Sequence, residues 1–338
     1  MHGHRSINSP HVIVTVLLVL LLIASCRHST VAQVTASARL VELVPIDVDS
    51  KHTERRDFGS LKLLGAFQLT SKNKRFGGLS GLSIGSDGKL YAVSDRGHWL
   101  SADMVLDPDG ALKDLVGWRI APILSTSKRP VSGKLRDAEA LAKNRDGSFL
   151  VAFEGLHRIW RYDPPPKTFE SIPVPMPIPP SASLAPSNGG IEALTVLPDG
   201  RLLIIAEVLE NPDGSVKAWM IDDGRFTELS YLAAKGFRVT DCAALKNGDL
   251  LVLERRYAPL GILSARVTLV KADSLRPGIV IAGKELLKLE QPLAVDNFEG
   301  IAVQETVKGT MIYIVSDDNY SRFQQTLLLQ FALPNADR

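Results

Sequence analysis

From Leu61 onward the chain repeats one pattern, an apolar segment, a two-residue turn and a second apolar segment. The copies read GLSGLSIGSDGKLYAVSD, DAEALAKNRDGSFLVAFE, GIEALTVLPDGRLLIIAE and TDCAALKNGDLLVLE, with a looser fifth, NFEGIAVQETVKGTMIYIVSD. Asp-Gly or Asn-Gly between β-branched and aliphatic runs predicts a hairpin, because both turn residues then tolerate positive φ. Marked at Ser80, Glu139, Glu192, Asp241 and Glu299, successive copies lie 59, 53, 49 and 58 residues apart. Spacing near 50 with several strands per copy predicts an all-β chain, a β-propeller of four-stranded blades around a channel.

The second half of each copy supports the outer two strands, as in SVKAWMID and RFTELSYLA around Asp223-Gly224, or HWLSADMVLDP and ALKDLVGWRIA around Asp109-Gly110. The fifth copy retains one further strand, TLLLQFAL, and a spare strand, LKLLGAFQLT, precedes the first copy. Pairing the two closes the ring and removes its open edges. Five blades are expected, or six if residues 34–56 or a long insertion hide a weak copy. The proline-rich stretch 164–186 cannot donate a continuous ladder and is expected to be an extended surface loop.

Arg5 and nearby histidines precede an apolar run over residues 12–24, too short to span a bilayer comfortably and shaped like a signal peptide. Cleavage after Ala32 gives a signal of 1–32, whereas Ile23-Ala24-Ser25-Cys26 resembles a lipobox, with a lipoprotein signal ending at 25 and lipid on Cys26. A leader or linker over 33–59 and a propeller over 60–334 complete the expected organisation. The location is then periplasmic or secreted, with membrane contact only through a lipid anchor at Cys26. The two cysteines, Cys26 and Cys242, leave no internal disulfide after either cleavage, so burial must hold the fold, and a monomer is expected. A net charge of +2, with no basic tract, argues against nucleic acid as a partner.

Counted seven steps each way from Asp199-Gly200, the hairpin ends at Glu192 and Glu207; from Asp146-Gly147 it ends at Glu139 and Glu154; from Asp87-Gly88, at Ser80 and Asp95. Six steps from Asn247-Gly248 reach Asp241 and Glu254. Equal counts in a two-residue hairpin place these residues directly opposite one another, at the end away from the turn. Two carboxylates about 5 Å apart at an effective dielectric near 20 repel by roughly 3 kcal/mol. Successive pairs should converge at the channel mouth, joined by Glu299 and by Asp317 or Asp318. A hard divalent ion with oxygen ligands, Ca2+ before Mg2+, would neutralise them. The expected ligands are Glu139, Glu154, Glu192, Glu207, Asp241, Glu254, Glu299 and Asp317. Two other arrangements stay open: each carboxylate clasped by one of Arg96, Arg158, Arg255, Arg256 and Arg322, or each capping backbone N–H groups between blades. Those arginines, with His98, His157 and Lys134, would put fixed cations around the metal, a mixture suited to an anionic phosphate.

Together GLSGLS…YAVSDRG, DAEALA…VAFEG, GGIEAL…DGRLLIIAE, NFEGIAV and IVSDDNYSRFQQTLLLQFAL resemble the phytase-like domain family, described as having esterase-like activity of phytase. The resemblance spans about Leu61 to Leu333 and implies a secreted or periplasmic propeller that hydrolyses phosphate or other esters. Calcium-dependent propeller phytases are similar in general design. No His-Glu-x-x-His or Walker loop occurs, and Gly81-Leu82-Ser83-Ile84-Gly85, which has the Gly-x-Ser-x-Gly spacing, sits in a repeat hairpin and not at a strand-to-helix turn, which disfavours a serine esterase. The leading expectation is a metal-dependent hydrolase of a small anionic ester, with Glu192, Glu207, Arg96 and Arg255 in catalytic roles. The alternatives are a lactone hydrolase like the gluconolactonase-type propellers, whose usual ligands include asparagines this repeat does not clearly supply, and a non-catalytic envelope propeller that binds a ligand or a protein.

Overall fold

Alternating apolar strands punctuated by glycine turns assemble into five sheets in the computed structural model, which describes residues 39–258 and 262–334. The described part opens with β1 (Glu42–Pro45), β2 (Asp57–Phe58) and β3 (Leu61–Thr70). Blade 1 follows as β4 (Leu79–Ile84), β5 (Leu90–Ser94), β6 (His98–Leu106) and β7 (Leu112–Pro122). Blade 2 is β8 (Ala138–Lys143), β9 (Phe149–Phe153), β10 (Arg158–Tyr162) and β11 (Val174–Met176). Blade 3 is β12 (Ile191–Val196), β13 (Leu202–Glu210), β14 (Val216–Asp222) and β15 (Arg225–Tyr231). Blade 4 is β16 (Arg238–Ala244), β17 (Leu250–Ala258) and β18 (Ile262–Val270), after which β19 (Val280–Ile281) runs parallel to β15 and β20 (Lys284–Glu290) completes the sheet. Blade 5 is β21 (Asn297–Thr306), β22 (Gly309–Asp317) and β23 (Thr326–Leu333), closed by β3.

That closure is the pairing expected from the spare strand: Thr326 faces Leu69 and Leu328 faces Phe67 across an antiparallel register. Part of the stretch read as a leader also belongs to the sheet, because β1 pairs with β3 at its outer edge and β2 folds against its start. The signal and lipobox readings, Cys26 included, lie outside the described residues. Among the described residues no helix is long and apolar enough to cross a membrane.

Five apolar clusters fill the gaps between neighbouring blades, so each blade is held by two interfaces. One joins blade 1 to blade 2 through Trp99, Phe149, Phe153 and Tyr162. Another joins blades 4 and 5 through Leu253, Leu287, Phe298 and Phe331. The inner strands approach so closely that a Cβ on Gly81 would lie 2.7 Å from the Leu141 backbone nitrogen, and one on Gly300 would lie 3.1 Å from that of Leu82. Glycine is needed there for space.

Two expectations about local geometry are corrected. The proline-rich segment is not all loop: Val174–Met176 supplies the outer strand of blade 2, with Pro175 opposite Trp160. Proline is tolerated at this edge because no further strand needs its missing N–H. The inner hairpins of blades 1 to 4 do not use two-residue turns either, whereas that of blade 5 turns on Val307 and Lys308 alone. Gly88 N donates to Gly85 O at 3.1 Å and Gly85 N to Lys89 O at 2.9 Å, so the loop holds three residues, of which only Gly88 has positive φ. The same bonds recur around Gly147, Gly200 and Gly248. Each register is therefore one residue away from the equal count.

Candidate functional site

Every innermost strand carries a bulge at the same height, between Leu79 and Gly81, Ala138 and Ala140, Ile191 and Ala193, Val239 and Asp241, and Phe298 and Gly300. The extra residues are Ser80, Glu139, Glu192, Thr240 and Glu299, one per blade. A bulge re-aims a side chain and leaves it without a partner across the ladder. It also shifts the register a second time. Glu154 N therefore donates to Asp137 O, Glu207 N to Gly190 O and Asp95 N to Gly78 O, while Arg255 faces Arg238 and Asp317 faces Asn297. The second strands thus contribute Asp95, Glu154, Glu207, Arg255 and Asp317 at equivalent places.

These side chains, Thr240 excepted, line a cavity of about 420 Å³ with Asp137, Asn188, Arg238, Tyr257, Asn297, Asn319 and Gln324. Eight carboxylates meet two guanidinium groups in it. The face-to-face opposition inferred from equal counts is not observed, because the three-residue turn and the bulge each move the ladder by one. Two shifts restore the original face, so the carboxylates still gather.

Blade 4 departs from the expectation. Asp241 and Glu254 lie on the far side of a one-residue slip, and neither lines the cavity. Asp241, fully buried, accepts hydrogen bonds from the backbone of Cys242 and Ile301, each at 2.8 Å, which ties blade 4 to blade 5. Burial pushes its carboxyl well above the ordinary value, against the pull of those N–H groups. Glu254 points outward, where Tyr231 Oη donates to it at 2.6 Å and Arg266 Nε lies 3.3 Å away. For these two, backbone capping and arginine pairing describe the arrangement. The places equivalent to the carboxylates of other blades are held by Thr240 and Arg255.

Of the arginines expected at the mouth, only Arg255 lines the cavity. It donates to Asn297 Oδ1 at 2.5 Å and to Glu207 Oε1 at 3.2 Å, and lies 3.6 Å from Glu299 Oε1. Arg96 is instead stacked on the Tyr320 ring, 3.4 Å from its centroid. Arg158 stacks on Phe153 and Trp160, Arg256 on Phe237 and Arg322 on Phe323. Asp318 accepts from Gly78 N at 2.9 Å. His157 Nε2 meets the Pro186 carbonyl at 2.8 Å, and burial with neighbouring arginines lowers the pKa of His98.

The cations cluster on one wall. Arg238 Nη1 lies 3.6 Å from Glu207 Oε2, close to Arg255, whereas Asp95, Asp137, Glu139, Glu154 and Glu192 make no ion pair among the described residues. Asp137, Glu139 and Glu154 each present an oxygen within 4.8 Å of the others. Glu154 Oε1 is fixed by the Gly189 N–H at 2.5 Å and by the Gly190 N–H, and Asp95 Oδ1 is buried with no hydrogen-bond partner. The converging oxygens of Asp137, Glu139 and Glu154 form an all-oxygen donor set that fits a hard divalent ion, and Asp95, outside that set, lines the same cavity.

Crowding shows in the protonation of these groups. Burial, then Glu299 and Asp137, push Glu139 well above the carboxylate range; burial, then Glu139 and Glu154, do the same to Glu192. Burial raises Glu299 to about 7, Asp317 to about 8 and Asp95 to about 6. A divalent ion in this cup would have to displace protons to bind.

Sequence reasoning missed Asp137, Asn188, Arg238 and Asn297. For three of them the signal was available, since Asp137, Arg238 and Asn297 each stand two residues before the bulge residue of their blade.

The family described as phytase-like, with esterase-like activity of phytase, matches residues 74–320. No curated protein matches the chain. Among solved structures, virginiamycin B lyase from Staphylococcus aureus with quinupristin is 13% identical over 87% of this chain and 100% of that chain, with a TM-score of 0.41. PQQ-bound aldose sugar dehydrogenase from Streptomyces coelicolor is 13% identical over 82% of this chain and 99% of that chain, with a TM-score of 0.43. The PQQ domain of pyranose dehydrogenase from Coprinopsis cinerea is 10% identical over 75% and 94%, with a TM-score of 0.43. At these identities and scores the solved structures bear on no chemistry of this chain.

Proposed function

The chain belongs to the phytase-like family, and from that premise we propose that it is a metal-dependent hydrolase of a small phosphate or other anionic ester, with Ca2+ as the ion and the acidic cup as its site. The observation that carries this reading is the split character of the cavity. Asp137, Glu139 and Glu154 converge without a cation on one wall, and Arg238 and Arg255 stand on the other. A bare acidic cup would repel an anionic ester; one with a metal on one wall and guanidinium groups on the other would hold it.

Asp137, Glu139 and Glu154 would hold the ion, with Glu192, Glu299, Asp317 and Asp95 in the same cavity, where their ionisation would set the net charge around it. When bound, a divalent cation supplies Lewis acidity toward the ester and lowers the pKa of water. Arg255, braced by Asn297 and Glu207, would grip the anionic head and set its orientation. Arg238, 60% exposed, would add a second contact at the rim. Glu192 interacts with Glu139, Glu154 and Glu207 and would carry the proton between water and the leaving oxygen. Glu207 would act by positioning Arg255. Arg96, expected to touch substrate, lies outside the lining and is left out of this role. The proposal includes export to the periplasm or the exterior, membrane contact only through lipid on Cys26, and action as a monomer.

The test is phosphate release from a monoester by the metal-free and the calcium-loaded protein. Turnover should require calcium and should collapse in Glu139→Gln. Release that continues undiminished in chelator would overturn the mechanism. A lactone hydrolase is the second reading, favoured by Asn188 and Asn319 in the lining, since amide oxygens suit a cation facing a neutral substrate. Turnover of sugar lactones without turnover of phosphate esters would select it. Tight calcium binding with no turnover of either would select a non-catalytic binding propeller.

A further inference from the structure

The acidic cup continues sideways. Glu207, Arg238, Arg255 and Tyr257 also line a second cavity, of about 840 Å³, that runs outward between blades 3 and 4. Its character changes along the way. Beyond the two arginines the walls are Val216, Leu232, Ala233, Ala234 and Phe237, with Lys235 at the edge. Leu232 is 44% exposed and Tyr257 68% exposed, an arrangement that costs free energy unless something covers them.

The groove is built on held elements. Leu232 N donates to Ile281 O at 2.7 Å, anchoring the loop that follows β15. The Phe237 ring is braced by the guanidinium groups of Arg256 and Arg266, whose centres lie 5.0 and 5.7 Å from its centroid. Tyr257 rides on β17 where that strand runs past the level of the cup. A trough with an apolar stretch thus opens from a charged chamber, and the passage between them is flanked by the two arginines.

We propose that this groove receives the organic half of the ester whose anionic head occupies the cup. The preferred substrate is then a phosphate monoester of an apolar or aromatic alcohol, and not a polyol carrying several phosphates. The inference rests on the hydrolytic reading above. Charge complementarity supports it: the anionic head meets Arg238 and Arg255, whereas outward of them Glu210 and Lys235 offset each other beside an otherwise apolar wall, which leaves no net positive charge for further phosphates. An aromatic ring would cover Leu232 and stack on Tyr257 or Phe237. In the reaction, water forms the new P–O bond, the P–O bond to the alcohol breaks, and the alcohol leaves carrying a proton.

Two esters with the same head separate the groove from the cup. For calcium-loaded protein, kcat/KM for 2-(1-naphthyl)ethyl phosphate should exceed that for ethyl phosphate, whose alcohol is an equally poor leaving group, by about tenfold or more. The ratio should fall toward one in Leu232→Asp and in Tyr257→Ser, both at exposed positions, with thermal unfolding confirming that each variant is folded. Equal rates for the two esters in wild type and variants would overturn the groove assignment and leave hydrolysis in the cup standing. If neither ester is turned over, the hydrolytic reading has failed, and calorimetric binding of 1-naphthylphosphonate against methylphosphonate decides the groove. Tighter binding of the naphthyl compound, lost in Leu232→Asp, would uphold it; equal or undetectable binding would overturn it.

Discussion

Replacing Glu299 by glutamine asks whether the carboxylates of the cup weaken the fold until a cation arrives. Glu299 Oε1 accepts a hydrogen bond from Asn297 Nδ2 at 2.8 Å, which an amide oxygen can keep. Burial lifts its carboxyl from an ordinary 4.5 to about 7, with Glu207 and Asp95 adding to the rise and Arg255 and Asn297 opposing it. That difference corresponds to about 3 kcal/mol against ionisation in the folded state. Below the ordinary value the group is protonated folded and unfolded, and it imposes no penalty. As pH rises from about 4.5 to about 7 the unfolded chain ionises first, so stability falls; above that the full deficit remains. In chelator near pH 8, Glu299→Gln should therefore melt higher than wild type by roughly 5 °C, and near pH 4 the two should coincide. Calcium should narrow or reverse the gap, because the wild-type cup binds the ion more tightly. Thermal unfolding followed by circular dichroism at both pH values, with chelator and with calcium, reads all of these. A variant less stable than wild type in chelator near pH 8, or a difference that ignores pH, would refute the reasoning.

Other substitutions probe other parts of the account. Asp241→Ala should cost about 2–4 kcal/mol in denaturant unfolding, since it strips two buried N–H groups of their acceptor, while calcium affinity measured by calorimetry stays near wild type. Glu139→Gln should weaken calcium binding by roughly tenfold or more, and titrations in buffers of different ionisation enthalpy should show proton release on binding near pH 7, because Glu139 and Glu192 are raised well above the carboxylate range. Gly81→Val should destabilise by about 2 kcal/mol or more, because its Cβ would press on the Leu141 backbone of the next blade.

The blades were legible because each one writes its own signature, a glycine turn between two apolar strands, and because a lone strand at each end, LKLLGAFQLT and TLLLQFAL, implied a partner. The convergence of Glu139, Glu154, Glu192, Glu207, Glu299 and Asp317 was legible for the same reason, since a repeated motif brings equivalent residues to equivalent places around an axis. What failed was register. A bulge leaves no trace in an apolar run, and a three-residue turn ending in Gly looks like a two-residue one, so Glu139 and Glu154 were read as directly opposed when they are diagonal neighbours. In blade 4 the count stopped one residue short of Thr240 and Arg255, and a slip of one sends a side chain to the opposite face. Arg96 was misplaced for a different cause: its capture by Tyr320 joins blade 1 to a loop more than two hundred residues away, and no local pattern encodes such a contact.

The central claim is that the carboxylates of the cup hold a divalent cation. Crystals grown with calcium, then exchanged into manganese and measured near the manganese absorption edge, address it directly. The account predicts an anomalous peak bounded by Asp137, Glu139 and Glu154, absent from crystals of Glu139→Gln. A cup with no peak, or a peak coordinated elsewhere on the propeller, would contradict it.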